Sequence, residues 1–320
     1  MSPDIQRSEP LPNAPLPEPP IVAARDEAAP LRRDAGLRGI GLILLSTIFL
    51  SSADVASKYL AASLPALQIT WLRYCAFTVI MLGLAWRGGG RVRLATQRPK
   101  LQLLRGFAVA ASSIVFVLSL KYLPIADATA TSFVTPLFVT ALSIPLLGEK
   151  VGWRRWTATT VGLVGVLIVV RPGGSGFQLA SLLPVLSALT WAFALIVTRQ
   201  MSTTESPLTT LAWSAMIGLG VVSLLLPFAW QPLTLQSVLL GIFIGVASTI
   251  GHWLVILAFR HADASLLAPF SYAQLLWVSV FGYFVFAALP DLWTLVGAVI
   301  IAGSGLYTAH RERIRAREAR

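Results

Sequence analysis

The chain has 320 residues, of which 56% are hydrophobic and only 12% are charged, whereas a soluble domain carries about 25% charged residues. This composition excludes an ordinary soluble globular protein. The net charge of +11 does not indicate a nucleic-acid partner, because the basic residues lie in links and tails between apolar segments rather than along one face. A single cysteine, Cys75, excludes an intrachain disulfide and a thiolate metal cluster.

The first 37 residues differ in kind from the rest of the chain. Residues 1–37 contain eight prolines and no long apolar run. We expect a disordered cytoplasmic tail, because such a segment buries too little apolar surface to offset the entropy of ordering it. The apolar core of a signal peptide is missing from this segment. Residues 311–320 are predicted to form a second short tail, which is basic and solvated.

Between these tails lie ten apolar segments, each close to the roughly 20 residues that a helix needs to cross a bilayer. The predicted spans are 39–59, 67–86, 103–122, 126–147, 155–171, 178–198, 207–228, 236–258, 264–288 and 291–309. If the N-terminus is cytoplasmic, most basic residues fall on the cytoplasmic side, and only Lys58, Lys121 and Arg171 fall on the other. The positive-inside rule therefore predicts that both termini are cytoplasmic.

The ten segments form two related halves of five. The stretch LKYLPIADATATSFVTPLF at 120–138 has a counterpart in LAFRHADASLLAPFSYAQL at 257–275, and Lys58 corresponds to Arg199. Because a five-span half begins and ends on opposite sides, the second half is inverted. The sequence thus predicts an all-α integral membrane protein with ten transmembrane helices in two inverted-topology five-helix repeats. Such repeats are typical of secondary transporters, whose substrate site lies at the mid-membrane interface of the repeats.

Two ionisable residues of the first half are candidates for that site. Asp54 in the first span and Arg73 in the second are predicted at a similar depth, near the outer third of the membrane. Ionisable residues inside spans are expensive and are functional hypotheses by default: Asp54 would carry a proton or bind a cationic charge, and Arg73 would pair with it or bind a substrate carboxylate. The alternative is a structural ion pair, and Lys58, one turn from Asp54, is a second candidate partner.

The second half contributes three further candidates. His252 is the only histidine within a predicted span, and an imidazole that titrates near neutral pH suits a proton relay. Tyr272 and Gln274 lie near the middle of span nine, beside Ser271. A polar group in hydrocarbon must find a partner, so these side chains are predicted to point into the bundle, either toward a substrate or as packing residues with hydrogen-bond partners.

Span four is rich in hydroxyl groups around Pro136. Thr129, Ser132, Pro136 and Thr140 recur on one stripe, and Thr135 precedes the proline. Because proline frees the carbonyl one turn back, the sequence predicts a kinked helix whose hydroxyls either line a substrate path or hold helices together.

Trp191, Trp253 and Trp277 are predicted deep in the membrane, as an aromatic wall for a ring-bearing substrate or as core packing. Gly241 and Gly245 form a GxxxG motif in span eight, which we assign to close helix packing. The chain lacks the HExxH, GxSxG, CxxC and P-loop signatures. We therefore expect no enzymatic activity, no cofactor and no metal.

Several short motifs resemble the ten-helix EamA branch of the drug/metabolite transporter superfamily over about residues 38–310. The motifs are LRY at 72–74, LRG at 104–106, TPLF at 135–138, LLGE at 146–149 and WRRW at 153–156. Within that family, SSADVASKYL at 51–60, ADATATSF at 126–133 and PDLWTLVGAVII at 290–301 look like the bacterial S-adenosylmethionine uptake subgroup. The second half departs from the family by lacking the closing Gly-Glu, with Phe286-Ala287-Ala288 in its place. Ser271 and Gln274 stand where the subgroup carries charged residues.

The resemblance implies EamA repeats at 38–171 and 178–310 and a carrier in the bacterial inner membrane. Such a carrier moves a small organic metabolite by alternating access, here an S-adenosylmethionine-like compound as the leading substrate. Riboflavin, amino-acid or amine transport are the alternatives within the family. A lipid flippase, an intramembrane lipid-modifying enzyme and a channel are alternatives of other classes. The expected partners are the substrate, the lipid bilayer and either a proton or a counter-substrate, for a monomer or homodimer.

Overall fold

A computed structural model describes residues 28–87, 94–148, 153–171, 178–201, 203–261, 267 and 270–318. This part of the chain is all-helical and contains no strand. The helices are α1 (Ala28–Leu60), α2 (Ala66–Arg87), α3 (Pro99–Tyr122), α4 (Ile125–Ser132), α5 (Thr135–Leu147), α6 (Trp153–Val170), α7 (Leu182–Met201), α8 (Pro207–Leu225), α9 (Leu235–His261), α10 (Ala273–Phe286) and α11 (Leu292–Glu318). A short 3-10 turn precedes α7 at Leu179–Ser181, and another follows α8 at Leu226–Ala229.

Seven of the described helical segments are long and apolar enough to cross a membrane. They are Gly36–Leu60, Ala66–Arg87, Pro99–Tyr122, Ile125–Leu147, Leu179–Met201, Pro207–Ala229 and Leu235–Ala258. Three shorter apolar helical segments are Thr160–Val170, Ala273–Phe286 and Leu292–Ser304. Each of these segments overlaps one predicted span. Helices satisfy their own backbone hydrogen bonds in lipid, so the chain folds as an all-helical, multi-pass membrane protein.

The helices extend further into the predicted tails than the sequence analysis expected. Helix α1 begins at Ala28, so residues 28–37 are helical, whereas residues 1–27 lie outside the described part. Helix α11 continues to Glu318, through most of the predicted C-terminal tail. Good helix-forming residues and basic side chains at a helix C-terminus stabilise such extensions.

The fourth apolar segment is broken in the middle, as Pro136 predicted. Helix α4 ends at Ser132, Val134 adopts φ −66° and ψ −14°, and α5 starts at Thr135. Pro136 has no N–H to donate to the carbonyl of Ser132, and the Thr135 hydroxyl donates to that oxygen instead, at 2.8 Å. The backbone N–H of Leu137 donates to Val134 O at 2.9 Å, so the first turn of α5 is tighter than an ordinary α-helical turn.

A second break precedes α10. Tyr272 adopts φ −67° and ψ −14° at the start of this helix, and the N–H of Leu275 bonds to Tyr272 O at 3.1 Å. Both α5 and α10 end on a residue with a left-handed backbone, Gly148 with φ 69° and Ala287 with φ 53°.

The helices pack in an interleaved arrangement. Helix α1 lies against α9 and α10, and helix α7 lies against α3 and α5. Helix α2 packs on α9 and α8, α8 packs on α3, and α6 packs on α11. A buried core that includes Ala53, Ile69 and Ile244 joins α1, α2 and α9. Helices α1 to α6 therefore pack mainly against helices α7 to α11.

The GxxxG motif of α9 mediates its close approach to α2, as predicted. A Cβ atom added at Gly241 would lie 2.7 Å from Leu72 Cβ, and one added at Gly245 would lie 2.4 Å from Ala76 Cβ and 2.9 Å from Arg73 O. Only glycine fits at these contacts, since carbon atoms normally approach to about 3.5–4.0 Å.

Candidate substrate site

Asp54 and Gln274 meet inside the bundle. The Gln274 amide donates from Nε2 to Asp54 Oδ2 at 3.1 Å, and the Ser51 hydroxyl donates to the backbone carbonyl of Gln274 at 3.1 Å. Gln274 lies two residues after the break at Tyr272, so these two bonds fasten the start of α10 to α1. The structure thus brings together two predicted site residues from distant parts of the sequence.

Arg73 on α2 lies within electrostatic range of both Asp54 and His252. A direct pair between Asp54 and Arg73 stays a prediction. The alternative partner, Lys58, points elsewhere: its ammonium group donates to Leu120 O at 3.0 Å and to Leu123 O at 2.7 Å. A lysine so placed satisfies carbonyls at the C-terminal end of α3, and the i,i+4 pair with Asp54 does not form.

His252 on α9 faces an aromatic neighbour from α7. Its Nδ1 lies 2.7 Å from the backbone carbonyl oxygen of Ser248, one turn earlier. Because a carbonyl oxygen only accepts, Nδ1 carries a proton. The ring of Trp191 meets the imidazole edge-to-face with 6.3 Å between centroids. Two predicted site residues from different helices are therefore in contact here.

The two helix breaks meet through their aromatic residues. The rings of Phe133 and Tyr272 contact each other edge-to-face at a centroid distance of 5.0 Å. This geometry is a favourable one for aromatic pairs. The contact places Tyr272 at the crossing of the two interrupted helices, and Thr135 lies two residues from Phe133 on the same break.

All seven predicted site residues are half-buried. They are Asp54, Arg73, Thr135, Trp191, His252, Tyr272 and Gln274. The Thr135 hydroxyl donates to Ser132 O across the break between α4 and α5.

Sequence analysis named Arg105 only within the LRG motif at 104–106 and did not assign it to the site. Arg105 is buried in α3. Its Nε donates to Thr198 Oγ1 at 2.6 Å, and its Nη1 donates to Thr210 O at 3.3 Å and to the Ser214 hydroxyl. The guanidinium also lies within electrostatic range of His252. Its position between apolar residues and Gly106, inside the predicted helix rather than in the loop, was the available signal.

The site combines one carboxylate, two guanidinium groups and several aromatic rings. Asp54 can accept a hydrogen bond or a cationic group, and Arg73 can bind an anionic group. Trp191, Phe133 and Tyr272 offer ring faces and edges. No group of three histidine, cysteine or acidic residues suited to a metal ion occurs among the described residues. The chemistry is therefore that of recognition by charge and stacking.

Seven apolar helical segments long enough to cross a bilayer define a multi-pass membrane protein. The EamA-like transporter family matches residues 37–171 and again residues 178–308. The chain belongs to this family, and the resemblance to the drug/metabolite transporter superfamily is thereby confirmed.

Similar proteins with known names are also transporters. The S-adenosylmethionine uptake transporter of Rickettsia bellii is 33% identical over 86% of this chain and 94% of its own length. The riboflavin transporter of Vibrio cholerae is 32% identical over 88% of this chain and 96% of its own length. The pseudopaline exporter CntI of Pseudomonas aeruginosa is 27% identical over 82% of this chain and 93% of its own length.

One solved crystal structure superposes on the chain with a TM-score of 0.63. The superposition covers 88% of this chain and 99% of the other at 18% identity. At that identity the match supports the fold alone.

Proposed function

We propose that the protein is a secondary transporter that moves a small organic metabolite across the bacterial inner membrane by alternating access. In this proposal, ten transmembrane helices form two inverted five-helix repeats, at 38–171 and 178–310. The site around Asp54, Arg73 and Gln274 binds the cargo. The observation that carries the proposal is the meeting of the two broken helices at Phe133 and Tyr272, beside the Asp54–Gln274 hydrogen bond.

Helix packing supports the repeat. In such a repeat, α1, α2, α3 and α6 correspond in order to α7, α8, α9 and α11, and α4 together with α5 corresponds to α10. The contact of α1 with α9 then corresponds to the contact of α7 with α3. In the same way, the contact of α1 with α10 corresponds to the contact of α7 with α5. All four of these contacts occur. The contacts of α2 with α8 and of α6 with α11 convert into themselves. This pattern is expected of two repeats related by a pseudo-two-fold axis.

Backbone details support the same relation. Val134 and Tyr272 have nearly identical backbone angles. The carbonyl oxygen of each accepts a hydrogen bond from the backbone N–H of the residue three positions later. Gly148 and Ala287 close the following helices in the left-handed conformation. The second half thus keeps the backbone of the closing turn although it lacks the family's glycine.

Charge placement supports an orientation with both termini in the cytoplasm. The start of α3 near Arg98 and Lys100 and the end of α7 at Arg199 would then face the cytoplasm, and the segments next to Lys58 and Arg171 would face outward. This distribution follows the positive-inside rule.

An S-adenosylmethionine-like compound is the leading substrate. Such a molecule carries a cationic sulfonium, an amino-acid group and an adenine ring. Asp54 would attract the cationic part, Arg73 would bind the carboxylate, and the rings of Trp191 and Tyr272 would stack on or border the base. The Rickettsia relatives named for S-adenosylmethionine uptake, at 31–33% identity, favour this cargo.

Riboflavin is the second substrate within the same function. The Vibrio cholerae relative favours it, and the aromatic pair at the helix breaks would suit a flavin ring. A neutral flavin leaves the charges of Asp54 and Arg73 without ionic partners on the cargo, so the site's electrostatics favour the zwitterionic cation.

A lipid flippase is the alternative of another class, and a lateral groove between α1, α9 and α10 is the observation that favours it. The groove has a volume of about 400 Å³ and its lining includes Val55, Leu240, Phe243 and Phe281. Its polar members are Ser52, Tyr59 and Gln236, and none of the lining residues is charged. A lipid headgroup that carries charge would find no ionic partner there.

The test is counterflow in proteoliposomes that contain the purified full chain. Vesicles loaded with unlabelled S-adenosylmethionine should accumulate the labelled compound transiently and saturably, and excess amino acid or amine should compete less well than S-adenosylmethionine. Saturable counterflow of riboflavin but not of S-adenosylmethionine would show that riboflavin is the cargo. Translocation of a fluorescent phospholipid without flux of any soluble metabolite would replace the function by that of a flippase.

A further inference from the structure

The second span of each half begins with a matching sequence. Residues 65–71 read PALQITW at the start of α2, and residues 207–213 read PLTTLAW at the start of α8. The proline and the tryptophan stand at the same positions in both. In the proposed inverted arrangement the two starts lie at opposite faces of the membrane, so Trp71 and Trp213 occupy equivalent positions at opposite faces.

The start of α2 is hydrogen-bonded to the segment of the other half that leads into α9. The buried Gln68 side chain donates to Gln231 O at 2.7 Å and accepts from the Gln231 N–H at 3.1 Å. The Trp71 indole donates to the Ser223 hydroxyl at 3.0 Å and meets the ring of Trp230 edge-to-face, with 6.2 Å between centroids. These contacts join the two halves at the face where α2 begins.

The start of α8 is bound in the corresponding way to the segment that leads into α3. The Trp213 indole donates to Leu94 O at 2.9 Å. Glu205, two residues before α8, accepts hydrogen bonds at Oε1 from the Thr96 hydroxyl and from the Gln97 N–H, both at 2.8 Å. The two halves are therefore joined at both faces by equivalent elements, namely the start of the second span in one half and the approach to the third span in the other.

Between the two faces, the first three spans of each half also contact each other closely. Ser112 on α3 and Ser187 on α7 are buried, and each hydroxyl donates to the backbone carbonyl of the other residue, at 3.0 and 2.9 Å. A Cβ atom added at Gly251 on α9 would lie 2.7 Å from Leu50 Cγ on α1. Helices α1, α2, α3, α7, α8 and α9 pack on one another, and together they form one body, which we call the frame.

The last two spans of each half lie outside the frame. Helix α6 packs on α11, and α4 contacts both this pair and the frame. Across the halves, the Thr294 hydroxyl on α11 donates to Asp127 Oδ1 on α4 at 2.6 Å, and Arg171 forms an ion pair with Asp291. The side chains of that ion pair are 40% and 43% exposed, and exposed ion pairs add little stability. These spans also contain the breaks before α5 and α10, so they are less firmly held than the frame.

The candidate substrate site lies on the boundary between the frame and these spans. Four of the seven predicted site residues are on frame helices: Asp54, Arg73, Trp191 and His252. The other three are on α5, on α10 or at the break that precedes α10: Thr135, Tyr272 and Gln274. The hydrogen bond between Asp54 and Gln274 crosses the boundary. A carrier binds its cargo between the bodies that move against each other, and this boundary separates two such bodies.

We infer that the frame remains one rigid body throughout the transport cycle, and that the cargo path opens by movement of the last two spans of each half against it. The inference rests on the proposed carrier function. Two repeats that rocked against each other as units would break the contacts of Gln68 and Trp71 at one face and those of Trp213 at the other. With a rigid frame these contacts persist, and the bond between Thr294 and Asp127 breaks when its face opens.

Cleavable cross-links test the inference. Cys75→Ser gives a background without cysteine. Tyr59→Cys with Gln236→Cys joins α1 to α9 within the frame, at side chains whose polar atoms lie 3.3 Å apart. The matched pair, Asp127→Cys with Thr294→Cys, joins α4 to α11 at the same face, where the native polar atoms lie 2.6 Å apart. A short bifunctional methanethiosulfonate links each pair, and a reductant releases it.

Flux of labelled S-adenosylmethionine into proteoliposomes is measured before linking, after linking and after release. Linking the Tyr59→Cys and Gln236→Cys pair should leave flux unchanged, although it joins the two halves. Linking the Asp127→Cys and Thr294→Cys pair should abolish flux, and reduction should restore it. Loss of flux in the first pair, or its survival in the second, would overturn the inference.

A second measurement needs no transport. Spin labels at Lys121→Cys and Gln236→Cys, two exposed frame sites in different halves, should give one narrow distance distribution by pulsed electron paramagnetic resonance. Labels at Gln236→Cys and Leu292→Cys should give a broad or double distribution, because α11 lies outside the frame. A double distribution for the first pair, or equally narrow distributions for both, would also overturn the inference. A parent chain without metabolite flux would refute only the carrier function.

Discussion

The contact between α9 and α2 gives a sharp prediction, because Gly245 touches the backbone that carries Arg73. Replacing Gly245 by alanine places a Cβ 2.4 Å from Ala76 Cβ and 2.9 Å from Arg73 O. Both contacts involve atoms that no side-chain rotation can move. To restore normal separations the helices must part by about 1 Å. Overpacking of this kind costs about 1–3 kcal/mol, and the helix that must shift carries Arg73.

We therefore expect Gly245→Ala to lower the free energy of unfolding in detergent or nanodiscs by about 1–3 kcal/mol and to reduce metabolite flux more than expression. The control is Gly83→Ala on α2, where no atom lies within 4 Å of the added Cβ and alanine favours the helix by about 1 kcal/mol. Equal stability and flux for both variants would refute the packing argument.

Two further predictions concern helix ends. Ala287 has φ 53° and Gly148 has φ 69°, a conformation that glycine adopts more easily than alanine. Ala287→Gly should therefore raise the free energy of unfolding by about 1 kcal/mol, and Gly148→Ala should lower it by about 1 kcal/mol, as measured by thermal unfolding. Effects of equal sign would contradict the closing turn that the two helices share. Burial raises the pKa of Asp291, but hydrogen bonds from Thr294 and the ion pair with Arg171 outweigh it and hold the pKa below its ordinary value. Asp291→Asn should therefore lower the free energy of unfolding by less than about 1 kcal/mol above pH 4. This difference from the parent chain should disappear as the pH falls through the lowered pKa of Asp291. A difference that grows on acidification would contradict the reasoning.

Much of the architecture follows from hydropathy and charge alone. Spans that must satisfy their own backbone in lipid have few alternatives to a helix, so each predicted span overlaps a helical segment. Pro136 predicted a kink because its missing N–H has a local consequence. The matching break at Tyr272 was not predicted, because the contacts that hold it join residues far apart in the sequence.

The candidate site also contains both residues that the sequence predicted and residues that it did not. Asp54 and Arg73 were found because charges inside spans are costly, and their similar depth was inferred from counting residues along two adjacent helices. Lys58 is much closer to Asp54 in the sequence than Arg73 is, yet it bonds to carbonyls at the end of α3, because of how α1 packs. Arg105 escaped notice because it lies near a helix start, where charges are common, and its role depends on contacts with α7 and α8.

The most direct test of the account is concentrative uptake of labelled S-adenosylmethionine by proteoliposomes, with and without an imposed pH gradient, for the parent chain and for Asp54→Asn. The account predicts saturable uptake by the parent. It predicts that the variant, with similar size and a side chain that still hydrogen-bonds Gln274, folds and expresses but does not accumulate substrate. No saturable flux of any soluble metabolite in the parent, or undiminished accumulation by Asp54→Asn, would contradict it.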